Sequence, residues 1–197
     1  DRADVELSAD ATDALRAAAR HAGVTLNTVV QGAWALVLGL ATGRDDVVFG
    51  TTVSGRSPEV PGVESMVGLL INTVPARATW SADDPVSAVL DRLQRWQVGL
   101  LDHQHVGLPA LQRAAGAGAG ADGDLFDTLV VFENTPLDAA AIEAVAGDLT
   151  VGPVALQDAT HYPASLIVTP GERLALRLDR TAALAGGLEA GAAALAL

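Results

Sequence analysis

The apolar residues of this chain alternate between helical and extended spacing. Ser8 is a typical N-cap, and the spacing after it predicts a helix that runs towards Gly23. Thr25 caps a second predicted helix, which Gly43 and Arg44 end. The apolar residues of this second helix cover more than one face, so we expect it to be buried against a sheet: Val29, Val30, Ala33, Trp34, Val37, Leu38 and Leu40.

The middle and the end of the chain carry three more predicted helices. Pro85 suits the first position of a long helix whose apolar residues recur every three or four positions as far as Leu101. A short helix is predicted from Leu108 to Ala115, and a closing helix from Ala182 onwards. Between them, the Ala/Gly stretch 114–123 is expected to be a flexible surface loop.

Runs of β-branched residues predict the strands. The run Val47 to Val53 predicts a buried strand, followed by a Gly/Pro/Ser loop from Ser54 to Gly62. The remaining predicted strands are Val5 to Leu7, Leu69 to Val74 stopping before Pro75, Leu129 to Phe132, Val151 to Leu156, and a hairpin of 162–168 with 173–178. Alternating helices and strands predict an α/β fold, a layered sandwich of a mixed β-sheet with helices packed on it.

Composition narrows the class of protein. The 197 residues are 50% apolar with a formal net charge of −12, which disfavours binding to phosphate backbones or anionic lipid. Cysteine is absent, so neither a disulfide nor a thiolate nucleophile is available. The acidic first residues are unlike a secretory signal, and the apolar stretch 29–41 is too short for a bilayer of about 30 Å. We expect a cytoplasmic protein that binds neither nucleic acid nor membrane.

Two short motifs suggest ligands, and each has a simpler interpretation. Residues 118–123 spell G-x-G-x-x-G, but they follow a predicted helix and precede a strand, the reverse of a dinucleotide-binding loop. His103, His105 and His161 could direct imidazoles to a metal. No carboxylate spacing accompanies them, so surface histidines are the expected interpretation and no metal site is predicted.

Polar residues at strand ends are the remaining candidates. Asn72 and Thr73 close one predicted strand, and Ser54, Gly55 and Arg56 follow another. Considered alone, such residues commonly satisfy turn amides or pair with an acid at the surface.

The segments that contain these residues also resemble a known family. The runs DVVFGTTVSGR, from Asp46 to Arg56, and VGLLINTVPAR, from Val67 to Arg77, resemble the carboxy-terminal lobe of the condensation domains of nonribosomal peptide synthetases. Further segments resemble the same family in the same order: 24–34, 101–106, 126–134, and 161–163 with 174–178.

The resemblance implies that residues 1–197 form the carboxy-terminal lobe of a chloramphenicol acetyltransferase-like pseudodimer, in which two α/β lobes enclose a tunnel. In such domains an acceptor amine attacks a donor thioester and forms a peptide bond, typically in antibiotic biosynthesis. The family's catalytic His-His-x-x-x-Asp-Gly motif has no counterpart in this chain. No residue is therefore assigned a catalytic role, and the chain alone is expected to be an inactive fragment of an acyltransferase-type enzyme.

The resemblance also implies partners and residue roles. Expected partners are the amino-terminal lobe and the donor and acceptor carrier proteins, whose phosphopantetheine arms deliver the substrates; no covalently bound cofactor is expected. Self-association through the exposed inter-lobe face is a further expectation. By position in the family motifs, the floor loop contains Ser54, Gly55 and Arg56, the tunnel-facing pair is Asn72 and Thr73, and the channel or inter-lobe candidates are His103, Gln104 and His105.

Two other functions remain open within this fold. One is a catalytically inactive, condensation-like module that recruits tailoring enzymes to the assembly line. The other is the lobe of an epimerisation domain, which shares the two-lobed scaffold.

Overall fold

The computed structural model of the protein describes residues 1–56, 60–116, 124–133 and 160–181. Within these ranges helices and strands alternate as predicted, and two 3₁₀ turns at Val63–Ser65 and Leu101–His103 add to them. The elements in chain order are β1 (Arg2–Glu6), α1 (Ala9–His21), α2 (Leu26–Thr42), β2 (Asp46–Val53), β3 (Asn72–Thr79), α3 (Val86–Leu100), α4 (Leu108–Ala115), β4 (Thr128–Phe132), β5 (Ala164–Thr169) and β6 (Ala175–Arg180).

Side-chain caps begin the first two helices where the sequence predicts them. Ser8 Oγ accepts a hydrogen bond from the Ala11 amide at 3.2 Å, and Thr25 Oγ1 accepts one from the Thr28 amide at 3.0 Å. Each cap satisfies an amide that has no partner within the helix, and such a cap stabilises by about 1 kcal/mol. Gly43 ends α2 with φ of 68°, a left-handed conformation that favours glycine.

The described strands form one mixed sheet in the order β1-β6-β5-β4-β2-β3. β2 pairs antiparallel with β3, and β1 and β5 pair antiparallel with β6. β4 lies parallel to both β2 and β5. The predicted α/β class and the predicted hairpin, now β5 and β6, are confirmed.

The core lies between α2 and one face of this sheet. Trp34 and Ala35 of α2 are 1% and 0% exposed, and Phe49 of β2 is 0% exposed. The indole N–H of Trp34 donates to Thr128 Oγ1 at 3.4 Å, which pairs the one polar group of the ring. The rest of this core comes from alternate residues of the strands and from one side of α2: Val30, Val37, Leu38, Val47, Ala76, Ala78, Val130, Ala164, Leu166, Val168, Leu174 and Leu178.

The prediction for the third strand is wrong at both ends. β3 begins at Asn72, continues through Pro75 and ends at Thr79, whereas the expected strand ran from Leu69 and stopped before the proline. Pro75 pairs with Gly50 inside the ladder. Because β3 is an edge strand, alternate amides have no strand to bond on the outer side, and proline is tolerated at such a position.

Smaller differences concern exposure and boundaries. Leu40 was expected in the buried surface of α2 but is 79% exposed. Pro85 caps α3 from outside rather than occupying its first position. The predicted Ala/Gly loop starts later than residue 114, because α4 extends to Ala115. Its remainder, the G-x-G-x-x-G spelling, the strand predicted at 151–156 and the closing helix from 182 lie outside the described residues.

Among the described helices, none is by itself long and apolar enough to cross a membrane. Helices α1 and α2 would meet the length and composition criteria only when taken together, across a bend of 98°.

We predict that Phe49→Ala lowers the free energy of unfolding by about 3 to 5 kcal/mol, because it removes a completely buried ring from the core. The neighbouring Val48 lies on the opposite face of β2 and is 36% exposed, so Val48→Ala is the matched control, with an expected loss of about 1 kcal/mol or less. Urea denaturation of both variants checks the difference. Equal losses would contradict the assignment of the core to the helix-covered face.

Candidate functional site

Asn72 opens β3, and its side chain holds a turn that lies far away in sequence. Its Nδ2 donates to the carbonyl oxygens of Gln104 and Val106, each at 2.8 Å. Its Oδ1 accepts from the Thr73 amide at 2.9 Å. A side-chain amide has two N–H donors and one oxygen with two acceptor positions, so only one acceptor position of Oδ1 remains for another group.

The segment after β2 packs against the segment before β3. Gly55 has φ of 64°, and a Cβ atom added there would lie 1.9 Å from the Leu70 carbonyl oxygen. Because that contact is with backbone, no side-chain rotation relieves it. Both the left-handed conformation and the close approach therefore require glycine.

Arg56 binds the backbone of the loop that it begins. Its guanidinium donates to the carbonyl oxygens of Val63 and Met66, the latter at 3.1 Å, and its own amide lies 3.3 Å from Ser54 Oγ. Arginine presents several donors in a planar group, which suits it to bridging two carbonyls of one turn. Through these hydrogen bonds Arg56 shapes the described part of the loop.

The helix-end candidates lie on the turn that follows α3. His103 closes the 3₁₀ turn Leu101–His103, and its carbonyl accepts from the Val106 amide at 3.0 Å. The side chains of His103 and His105 are exposed, and Gln104 between them is partly buried. Over the described residues, no three His, Asp or Glu side chains cluster closely enough to hold a metal ion.

A buried row of amides beside these residues was not predicted. Gln31 of α2 is 1% exposed; its Nε2 donates to Asn27 Oδ1 and to Thr51 Oγ1, both at 3.0 Å. Its Oε1 accepts from Gln97 Nε2 of α3 at 2.9 Å. Asn27, Gln31 and Gln97 therefore link α2, β2 and α3, and we call them the amide row. The one signal in the sequence is a lone glutamine within the apolar stretch of α2.

The amide row borders a cavity of about 510 Å³ that also reaches two of the predicted candidates. Ser54 and Gln104 line it, together with the apolar side chains of Trp96, Leu101 and Phe132. Thr73 belongs to a different surface. It pairs with Thr52, and the sheet face away from α2 holds a second cavity of about 700 Å³ whose lining includes Thr52, Ile71, Leu129, Ile167 and Tyr162.

The ion pair of Asp46 and Arg77 lies at the far end of β2 and β3, whereas the guanidinium of Arg56 lies in the loop that follows β2. The Arg77 guanidinium forms two hydrogen bonds to Asp46, at 2.8 and 2.6 Å, and holds the pKa of that carboxyl below its usual value. Asp46 starts β2, whereas Ser54 follows its end. Burial, with a smaller effect of Asp124, raises the pKa of Tyr162 and so favours the neutral phenol. The side chains that line the cavity of about 510 Å³ are neutral amides, hydroxyls and apolar groups.

These features define an α/β lobe with a neutral polar site at one end of a mixed sheet. The family model described as "Condensation domain" matches residues 1–184 of this chain. The chain belongs to the condensation-domain family, as the sequence resemblance indicates.

Curated relatives support the assignment over most of this chain. Chondramide synthase cmdD of Chondromyces crocatus is 44% identical over 174 residues, which cover 88% of this chain and 4% of that protein. Vanchrobactin synthetase VabF of Vibrio anguillarum is 38% identical over 168 residues, covering 85% of this chain and 6% of that protein. The chain thus spans only a small part of the relatives that it matches.

Solved structures show the same fold. The first condensation domain of the CDA synthetase superposes with a TM-score of 0.70 at 18% identity, covering 99% of this chain and 42% of that chain. The four-domain nonribosomal peptide synthetase AB3403 gives a TM-score of 0.75 at 15% identity, covering 92% of this chain and 15% of that one. The predicted chloramphenicol acetyltransferase-like lobe is confirmed as the fold class.

We predict that Gly55→Ala destabilises the protein more than Gly23→Ala does. Both glycines have a left-handed φ, at 64° and 69°, but a Cβ at Gly23 would meet no atom within 4 Å. Gly23→Ala should therefore cost only the strain of a left-handed alanine, about 1 to 2 kcal/mol, while Gly55→Ala adds the clash with Leu70. Urea denaturation and hydrogen exchange near Leu70 measure the difference. A similar cost for the two variants would show that the contact of Gly55 with Leu70 is dispensable.

Proposed function

We propose that this chain forms one wall of the substrate tunnel in a condensation domain that joins carrier-bound aminoacyl or peptidyl thioesters into peptides. The observation that carries the proposal is the position of Asn72. It lies in the segment that resembles the family's tunnel-facing Asn-Thr, and it holds the turn of the Gln104 motif at 2.8 Å. Ser54 and Gln104 line one common cavity, so separate family motifs meet at one place.

The hydrogen bonds of Asn72 restrict the chemistry that it can perform. Because both N–H groups of its side chain are bonded to carbonyls, they are not free to donate to an oxyanion. The free acceptor position of Oδ1 can instead accept from the attacking amine. We therefore assign Asn72 the role of orienting the acceptor amine, a neutral contact that leaves the amine's basicity unchanged.

The reaction itself is acyl transfer between two substrates. The acceptor amine attacks the donor thioester carbonyl, and the tetrahedral intermediate collapses with cleavage of the C–S bond. The thiolate of the donor's phosphopantetheine arm leaves and takes up the proton that the amine loses, while the new amide bond remains. In this family the second His of the His-His-x-x-x-Asp-Gly motif lies at the reacting amine, either as the base that moves this proton or as the group that positions the amine. That motif has no counterpart in this chain, so we assign the proton transfer to the other lobe and leave His103, His105 and His161 without a catalytic role.

A run of exposed apolar side chains supports the need for a second lobe. Met66, Val67, Leu69 and Ile71 are 45%, 104%, 92% and 66% exposed, and Arg56 holds the start of this run through the Met66 carbonyl. We call residues 66–71 the apolar strap. Such a contiguous apolar segment is typical of an interaction surface. We propose that it packs against the amino-terminal lobe, and that carrier proteins bring both substrates to the tunnel between the lobes.

We predict that Asn72→Ala, in a two-lobed parent domain, slows peptide formation by about tenfold to a thousandfold, because the amine loses an orienting contact and the turn at Gln104 loses its two hydrogen bonds. Single-turnover condensation between two loaded carrier proteins measures this. Arg77→Gln is the control, since it removes only an exposed ion pair with Asp46 at the far end of the same strand. Unchanged turnover in Asn72→Ala would show that Asn72 does not orient the acceptor amine.

We also predict that the isolated chain makes no dipeptide above the uncatalysed background, because the base and one tunnel wall are missing. The chain is incubated with donor-loaded and acceptor-loaded carrier proteins, and products are followed by mass spectrometry. Adding a separately produced amino-terminal lobe should restore product if the two lobes associate tightly enough to offset the entropy of association. Product from the chain alone would contradict the assignment of the base and the second tunnel wall to the other lobe. A two-lobed parent that never forms product would instead favour the recruitment or epimerisation alternatives.

A further inference from the structure

The amide row and Asn72 belong to one closed ring of contacts, which we call the circuit and which passes through β2, α2, α3, the turn after α3 and β3. Starting at Thr51 of β2, the circuit runs through Gln31 to Gln97 near the end of α3. It then follows the chain to the turn at Gln104, which Asn72 holds from β3. Asn72 pairs with Val53, two residues beyond Thr51 on β2, and this pairing closes the circuit.

Every polar step of this circuit joins groups that are distant in sequence. Gln31 and Gln97 are separated by 66 residues, and Asn72 and Gln104 by 32. Gln97 has a second contact to α2, because Thr28 Oγ1 lies 2.8 Å from Gln97 Oε1. Gln94 adds a further link to α2, since its Oε1 accepts from the Thr25 amide at 2.9 Å and from Thr28 Oγ1 at 2.7 Å. The amide row and Gln94 therefore hold α3 against α2, and Asn72 holds the turn that follows α3.

Burial makes the amide row sensitive to substitution. Gln31, at the centre of the row, is 1% exposed, and Thr28, which contacts Gln97, is 0% exposed; Asn27 and Gln97 are partly buried. Removing one partner leaves the remaining buried donors and acceptors without compensation, and this costs more than the loss of an exposed hydrogen bond. The row also contains no charge, so it can hold α3 without altering protonation at the site.

We propose that Gln31 is a positioning residue for the condensation reaction. Through Gln97 it sets the end of α3, and hence the Gln104–Val106 turn that orients the Asn72 side chain towards the acceptor amine. The inference rests on the proposed function of Asn72. It extends that function to a residue of α2 that lies within the family-like segment 24–34 but to which the resemblance assigns no role.

The experiment compares Gln31→Met, Gln97→Met and the double variant in the two-lobed parent domain. Methionine has nearly the length and volume of glutamine but cannot donate. We expect each single variant to lower the single-turnover rate at saturating carrier protein by about tenfold, since small displacements at a reacting centre cost on this order. The apparent KM for either carrier should stay within about twofold. The double variant should be no slower than Gln97→Met, because Gln31 acts through Gln97.

The matched control is Thr12→Val. Thr12 is 0% exposed and makes a buried polar link of the same kind, between α1 and the segment before β6: its hydroxyl donates to the Ser8 carbonyl at 2.9 Å and accepts from the Leu174 amide at 3.0 Å. The positioning role of Gln31 would be supported if Thr12→Val lowered Tm as much as Gln31→Met does but left the single-turnover rate unchanged. Rates that fall in proportion to Tm in all variants would overturn it.

Hydrogen exchange gives a second readout that does not depend on turnover. In Gln31→Met the Val106 amide, which donates to the His103 carbonyl at 3.0 Å, should exchange about tenfold faster, while Thr12→Val leaves it unchanged. Protection that stays the same in Gln31→Met would overturn the link between the amide row and the turn. Failure of the wild-type parent domain to form peptide would count against the proposed function instead, because exchange at Val106 still tests this link.

Discussion

The pairing of β2 with β3 is the constraint on which the site depends. The ladder runs from Asp46 opposite Thr79 to Val53 opposite Asn72, so the chain leaving β2 and the chain entering β3 lie side by side. Gly55 therefore meets the Leu70 backbone, and Asn72 reaches the turn after α3. The burial of Phe49, Val74 and Ala76 beneath the helices fixes the register of this pairing. If β3 slipped by one residue along β2, its buried side chains would turn outward and Asn72 would lose its partners.

The site is held together by neutral groups. Amides and hydroxyls join α2, α3 and the strand ends, while the ion pair of Asp46 and Arg77 lies at the other end of the two strands. An exposed ion pair contributes little to stability, and a charge buried in the site would add a strong field to a reaction between an amine and a thioester. Neutral hydrogen bonds fix geometry without that field. This arrangement agrees with the tunnel wall that we propose.

The apolar strap and the amide row show how one lobe can serve two purposes. Gln31 is buried and is hydrogen-bonded to Asn27, Thr51 and Gln97, so it links the end of the sheet to α2 and α3. Val67 and Leu69, only a few residues from Asn72, are almost completely exposed. The hydrogen-bonded site therefore lies directly beside the apolar strap, a surface that suits contact with a second lobe. This position of the strap agrees with the extent of the match, which covers 42% of one solved condensation domain.

Local signals in the sequence determined most of the elements. Ser8 and Thr25 cap the helices, Gly43 ends one, and each of these signals acts within about four residues of its own position. The family motifs likewise indicated Ser54, Asn72 and Gln104 as site candidates. Only the tertiary structure decided the rest. Pro75 is tolerated because β3 lies at an edge of the sheet, and strand order is not a local property. Gln31 looks like an isolated polar residue in an apolar helix, and its role depends on Gln97, which folding brings within 2.9 Å across 66 residues. Long-range packing, rather than local propensity, makes such contacts.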